Sequence, residues 1–236
     1  MLSELRVKIF ADGADAGGIR QLAGSGWIKG FTTNPTLMRA AGVSDYECFA
    51  RQVLPLAAGR PISFEVFADD FDEMERQARR ISAWADNVNV KIPITNTRGE
   101  SSQPLLCRLA AEGVKVNVTA LLTVGQVRVA TAALGGGPPS FISVFAGRVA
   151  DTGVEPVPVM REALEVMAPH PNLELIWASP REILNVVQAD AIGCHVITVT
   201  HDILKKLPLL GRDLADHSLD TVRMFHRDAR SAGYTL

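Results

Sequence analysis

Along this chain, short runs of alternating apolar and polar residues are separated by longer stretches whose apolar residues recur every three or four positions. The run 87–93, Asn-Val-Asn-Val-Lys-Ile-Pro, places Val88, Val90 and Ile92 on one side and Asn87, Asn89 and Lys91 on the other, the two-residue repeat of a strand. Similar β-rich runs cover 6–12, 30–34, 61–67, 114–120, 141–147, 173–179 and 196–200, which makes eight. Between them the spacing turns helical. In 70–84, Phe71, Met74, Ala78 and Ile81 share one face, with Glu73, Glu75, Arg76 and Arg80 elsewhere. Helices are also predicted over 46–56 behind a Ser44 cap, over 124–134 behind Thr123, and over 181–188 behind Ser179-Pro180.

Strict strand–helix alternation implies a parallel sheet, and eight repeats in 236 residues suit one closed (β/α)8 TIM barrel. The competing architecture, a doubly wound open sheet, lacks its Gly-rich turn after the first strand. Gly17-Gly18 falls inside a helix and has the wrong spacing for a dinucleotide. Gly135 to Pro139 reads as a loop into strand six. The only segment beyond the eight units is a C-terminal helix over 218–230, inside a tail of 213–233, with Leu219, Val222, Phe225 and Ala229 on one side.

Polar residues occupy the faces that should point into the barrel: Ser63 and Glu65, Asn89 and Lys91, Asn117 and Thr119, and Ser143 beside Phe145. They gather toward the strand C-termini, joined by Asp12, Asn34 and Ser179, the end where such barrels build their sites. A barrel filled for stability alone would use Val, Ile and Leu there. Lys91 stands out most. Burying a charged lysine is unfavourable, which pushes it toward the neutral amine, a nucleophile for carbonyl carbon.

Composition narrows the picture without redirecting it. Hydrophobic residues make up 47% and charged residues 21%, ample for a core, and a net charge of −2 gives no field for nucleic acid or an anionic membrane. No run approaches the ~18 apolar residues of a membrane span, and the first eight residues carry charges where a secretory leader is apolar. Cys48, Cys107 and Cys194 have no paired spacing and are expected to be reduced, buried and structural in a cytoplasmic protein.

Phe31-Thr-Thr-Asn-Pro-Thr36, Val90-Lys-Ile-Pro93, Asn117-Val-Thr-Ala120, Ser143-Val-Phe-Ala-Gly-Arg148 and Ala178-Ser179 together resemble the transaldolase family, including its shorter fructose-6-phosphate-aldolase-like branch. The resemblance runs to about Leu207. It implies a (β/α)8 barrel, a Schiff-base lysine at Lys91, and no metal or organic cofactor. By the same resemblance Asp12 accepts the hydroxyl proton, while Glu65 and Thr119 position a catalytic water. Thr33, Asn34, Asn117, Ser143, Phe145 and Ser179 line the substrate, and Arg148, with Arg181 as partner, takes a phosphate. Glu65 and Phe145 match transaldolases, where the aldolases carry Gln and Tyr.

Departures leave alternatives open. The opening Leu-Asp-Thr-Ala of the family is Ala11-Asp-Gly-Ala14 here, Ala-Ser-Phe-Arg is Ala178-Ser-Pro-Arg181, and strand eight ends in Thr198-Val-Thr-His201. An aldolase acting on a specialised sugar, and a catalytically weak sugar-phosphate-binding barrel, therefore stand beside a transaldolase. The resemblance also implies a homo-oligomer of five or ten copies, with the C-terminal helix crossing to a neighbour.

Overall fold

A computed structural model describes residues 4–235; Met1 to Ser3 of the N-terminal stretch and Leu236 lie outside it. Eight parallel strands close into a barrel in chain order: β1 (Lys8–Asp12), β2 (Ile28–Thr32), β3 (Ile62–Glu65), β4 (Val88–Pro93), β5 (Val116–Leu121), β6 (Ser140–Val144), β7 (Leu173–Trp177) and β8 (Val196–Thr200). Outside it run α1 (Ala16–Ala23), α2 (Pro35–Ala40), α3 (Tyr46–Ala57), α4 (Phe71–Ser82), α5 (Gln103–Ala111), α6 (Val124–Leu134), α7 (Ala146–Asp151), α8 (Pro156–Met167), α9 (Leu184–Ala191), α10 (His201–Leu204) and α11 (Leu214–Ser231). This is a (β/α)8 TIM barrel with an additional C-terminal helix. No helix among the described residues is long and apolar enough to cross a membrane.

The two faces of each strand feed different cores. Phe64, Val90, Ile92, Val118, Ile142 and Val144 point outward and pack with the helix layer. A smaller cluster of Phe10, Phe141, Ile176, Ala178 and Val196 fills the inside of the barrel. Phe10 and Phe141 meet edge to face with ring centroids 5.5 Å apart. Gly30 makes this possible, because a Cβ there would fall 2.5 to 2.7 Å from three atoms of the Phe10 ring. Above the plug the inner residues turn polar.

Several element ends differ from the sequence reading, each for a local reason. The second strand ends at Thr32, not Asn34, because the Asn34 side chain caps α2 by accepting from the Leu37 N–H (2.9 Å). Asp45, one residue beyond Ser44, caps α3 through the Cys48 N–H. The sixth strand stops at Val144, not at 147, and Arg148 lies in α7. Ser179 does not cap the helix that follows β7. That helix begins at Leu184, and Asn185 Oδ1 accepts from the N–H groups of Arg181 and Glu182. Of the cysteines only Cys194 is buried, its thiol pushed up to about 12 by that burial; Cys48 and Cys107 are exposed.

Helix α11 starts four residues before the expected 218, where Asp213 accepts from the N–H groups of Ala215 and Asp216. None of its residues is buried, and Leu214, Val222 and Phe225 are 82%, 59% and 62% exposed. Such an apolar face is unfavourable in water. We propose that a neighbouring copy covers it. Light scattering at micromolar concentration should then give a mass several times that of one chain, and Val222→Asp with Phe225→Asp should lower it. A monomeric unmodified protein would end this proposal.

Candidate active site

The register of the sheet sets the site. Lys91 is level with Glu65 on β3 and with Asn117 on β5, while Asp12 is level with Thr32 on β2 and Thr200 on β8. All these side chains face into the barrel, toward the C-terminal ends of the strands. A cavity of about 450 Å³ opens there. Asp12, Asn34, Glu65, Lys91, Thr119, Ser143, Phe145, Arg148, Ser179 and Arg181 all reach its wall.

Lys91 is only 6% exposed. Its Nζ lies 3.2 Å from a Glu65 carboxylate oxygen and donates to the Thr33 carbonyl at 2.9 Å. The desolvation expected of a buried ammonium is thus met by a counter-charge and a hydrogen bond. Glu65 is fixed in turn by Tyr46 of α3, whose hydroxyl donates to the Glu65 carbonyl (2.7 Å) and accepts from its N–H (2.8 Å). Burial pushes the Tyr46 hydroxyl well above its ordinary range, so it stays protonated as this clamp requires.

Asp12 sits across the cavity. Thr32 donates to one carboxylate oxygen at 2.7 Å, and the Thr32 hydroxyl also meets that of Thr198. Burial raises the Asp12 carboxyl above its ordinary range, opposed in part by the charge of Lys91, the Thr32 hydrogen bond and the charge of His201. Beneath Lys91, Asn117 donates to Ser63 (3.0 Å) and accepts from Ser143 (2.7 Å), so its amide is spent on holding neighbours. Thr119 Oγ1, in contrast, is buried on the cavity side without a hydrogen-bond partner among the described residues.

Two sequence-predicted residues lie off the cavity wall. Asn117 is fully buried below it. The Thr33 hydroxyl turns away to the Ser63 carbonyl (2.8 Å), leaving only the Thr33 carbonyl toward Lys91. The arginines also divide. Arg181 holds Asp151 with Nε at 3.0 Å and with a second, shorter contact, which keeps the Asp151 carboxyl below its ordinary range. Arg148 is exposed, forms no ion pair among the described residues, and stacks its guanidinium 5.0 Å from the Phe145 ring centroid.

Sequence reasoning missed Thr32, Thr198 and Tyr46. The first two share strand parity with Asp12 and Thr200, so the inward polar register would have found them. Tyr46 reaches in from the helix layer, and strand patterns carry no sign of it. The cavity wall also stores backbone strain. Ala120 and Ser179 have φ of 65° and 58° without being glycine, and a Cβ on Gly147 would fall 1.6 Å from the Ser179 carbonyl oxygen. Among the described residues, no three His, Cys, Asp or Glu side chains are grouped to share a metal ion.

A parallel barrel with a lysine between carboxylates at its C-terminal mouth is laid out as barrel enzymes are. The chain matches the family model described as transaldolase/fructose-6-phosphate aldolase over residues 9–235. A protein from Dehalococcoides mccartyi (strain ATCC BAA-2266 / KCTC 15142 / 195) named probable transaldolase is 34% identical over 202 residues, 85% of this chain and 90% of its own. One of the same name from Thermoanaerobacter sp. (strain X514) is 31% identical over 231 residues, 98% and 100% of the two chains. A crystal structure from Burkholderia cenocepacia J2315, provisionally described as a phosphonomutase, superposes with a TM-score of 0.57 at 14% identity, covering 96% of each chain, and shares the fold alone. This chain belongs to the transaldolase/fructose-6-phosphate aldolase family.

The raised Asp12 carboxyl has a consequence for stability. The folded protein holds the Asp12 proton more tightly than the unfolded chain, so ionisation weakens the fold. Below about pH 4 both states are protonated and the penalty vanishes; it grows as pH rises toward the higher folded value. Asp12→Asn should therefore raise the urea midpoint at pH 7, with a gain that shrinks toward pH 4. A loss of stability at pH 7 would contradict this account.

Proposed function

We propose that this protein is a class I transaldolase that moves a dihydroxyacetone unit from a ketose to an aldose, with sugar phosphates as substrates. The reading rests above all on Lys91, buried at the cavity floor beside Glu65 with Asp12 across the same space. Lys91 gives a proton to the adjacent Glu65 and attacks the ketose carbonyl. The carbinolamine loses water, with Glu65 carrying the proton and Thr119 offering its unpaired hydroxyl to the water. Asp12 then takes the proton from the hydroxyl two carbons along. The carbon–carbon bond breaks, its electrons pass to the protonated imine, and the aldehyde half leaves.

The fragment left on Lys91 is an enamine. Its release as free dihydroxyacetone needs a proton at carbon, and Phe145, which lines the cavity, has no hydroxyl to deliver one. That supports transfer to an acceptor aldehyde over release. An aldolase outcome is the second reading, favoured by the departures after β7 and β8, and assays with and without acceptor separate the two. Borohydride trapping with a dihydroxyacetone-bearing ketose should modify Lys91, located by peptide mass mapping. Modification elsewhere, or none across a broad ketose panel, would remove the mechanism.

Arg148 supports the phosphate assignment. It stands at the mouth with its guanidinium over the Phe145 ring and no ion pair among the described residues, whereas Arg181 is committed to Asp151. Arg148→Ala should raise KM for a phosphorylated donor roughly 10- to 1000-fold, about 1.4–4 kcal/mol. Trapping of unphosphorylated dihydroxyacetone should be retained. Equal loss of both would make Arg148 a structural residue.

A further inference from the structure

Asp12 is flanked in the sheet register by two threonines, Thr32 on β2 and Thr200 on β8. Their hydroxyls are used differently. Thr32 donates to Asp12 Oδ1 at 2.7 Å and also meets the Thr198 hydroxyl, so its bonding is internal to the protein. The Thr200 side chain makes no hydrogen bond among the described residues. Asp12 Oδ2 likewise has no hydrogen-bond partner among them.

Thr200 holds the N-cap position of α10, with φ −68° and ψ 155°. A threonine there ordinarily turns its oxygen back to accept from the N–H of the second or third helical residue. This one makes no such bond. Strand parity sets its direction instead. Ile197 and Val199 pack outward with the helix layer, Val196 belongs to the inner cluster, and Thr198 and Thr200 share the side of Val196. Thr200 accordingly reaches the wall of the cavity of about 450 Å³, half-buried, with Asp12 as its neighbour across the β1–β8 ladder. It also lies in Thr198-Val-Thr-His201, one of the departures from the family pattern, so no role for this hydroxyl follows from the resemblance.

We propose that Thr200 is a catalytic residue that donates a hydrogen bond to the same substrate oxygen that Asp12 serves, the C4 oxygen of the ketose in cleavage and the aldehyde oxygen in transfer. The inference rests on the reading of Asp12 as the base. Adjacent strands stand about 4.8 Å apart, so one oxygen can be reached from both side chains. Asp12 takes the hydroxyl proton, the C3–C4 bond breaks, its electron pair passes to the protonated imine, and C4 becomes the aldehyde carbon. Negative charge gathers on the C4 oxygen as its proton leaves, and a fixed donor beside it acts most strongly at that point. In the transfer direction the same hydrogen bond polarises the acceptor carbonyl while the enamine carbon attacks, and Asp12 returns the proton. Thr200 keeps its own proton throughout. Thr32 thus fixes the carboxylate, and Thr200 fixes the oxygen on which the carboxylate works.

The test compares the unmodified enzyme with Thr200→Val and Thr200→Ser. The donor is fructose 6-phosphate, or the ketose of the panel that turns over fastest, and the acceptor is glyceraldehyde. Valine keeps the branched Cβ and the shape but has no O–H. Thr200→Val should lose about 10- to 100-fold in kcat/KM, most of it in kcat, as expected of an interaction made in the transition state. Thr200→Ser, which keeps the hydroxyl, should stay within about threefold of the unmodified enzyme. Borohydride trapping of dihydroxyacetone, which has no C4, should proceed at Lys91 in both variants as in the unmodified enzyme. Undiminished turnover in Thr200→Val would overturn the proposal. So would an equal loss in Thr200→Ser, or a parallel loss of trapping and turnover, which would make Thr200 a structural residue. If Thr200→Val does not fold, Thr200→Ala carries the same comparison. An unmodified enzyme that neither traps dihydroxyacetone nor turns over any ketose would instead remove the functional reading itself, so the two failures are distinguishable.

Discussion

The burial of the Lys91 amine is the constraint to which the rest of the barrel mouth answers. A cation at 6% exposure needs partners on the same protein, and each partner needs its own support. Glu65 supplies the counter-charge, the Thr33 carbonyl accepts the amine proton, and Tyr46 reaches through from the helix layer to fix the Glu65 backbone. Below, hydrogen bonds from Ser143 to Asn117 and from Asn117 to Ser63 tie β6, β5 and β3 together inside the barrel. The inner face is polar because every group brought in to hold one charge must itself be satisfied.

Much of this was legible in the sequence because one physical rule generates it. The two-residue repeat of a strand separates a face of Val and Ile from a face of Ser, Asn, Glu and Lys, and the barrel assigns those faces to opposite sides. Hence Ser63 with Glu65 and Asn117 with Thr119 fall where their parity put them. The capped helix Val124–Leu134 was also readable, since Thr123 and Gln126 form a capping box from adjacent sequence. What depends on distant partners was not. Asn185 caps the turn at Arg181, Asp151 claims the Arg181 fork, and Asn34 spends its oxygen on a helix start. Side-chain competition of this kind is settled only when the chain is folded.

Backbone irregularities collect where loops meet strands on the cavity side. Ala120 interrupts the pairing of β5 with β6, and Ser179 turns left-handed just past β7, in contact range of Gly147. These positions re-aim the chain from the barrel wall to the rim. They also place Arg148 in the short helix α7, with its guanidinium over the Phe145 ring.

The aromatic plug of Phe10 and Phe141 settles a matter of traffic. With Ile176 and Val196 it fills the inside of the barrel below the polar cluster, and Gly30 lets the Phe10 ring close the floor. Lys91 therefore stands at the bottom of a blind well. Under the proposed transfer chemistry, the leaving aldehyde and the arriving acceptor would share one doorway. The closed end is the work of two phenylalanine rings, and traffic through the chamber is confined to its mouth.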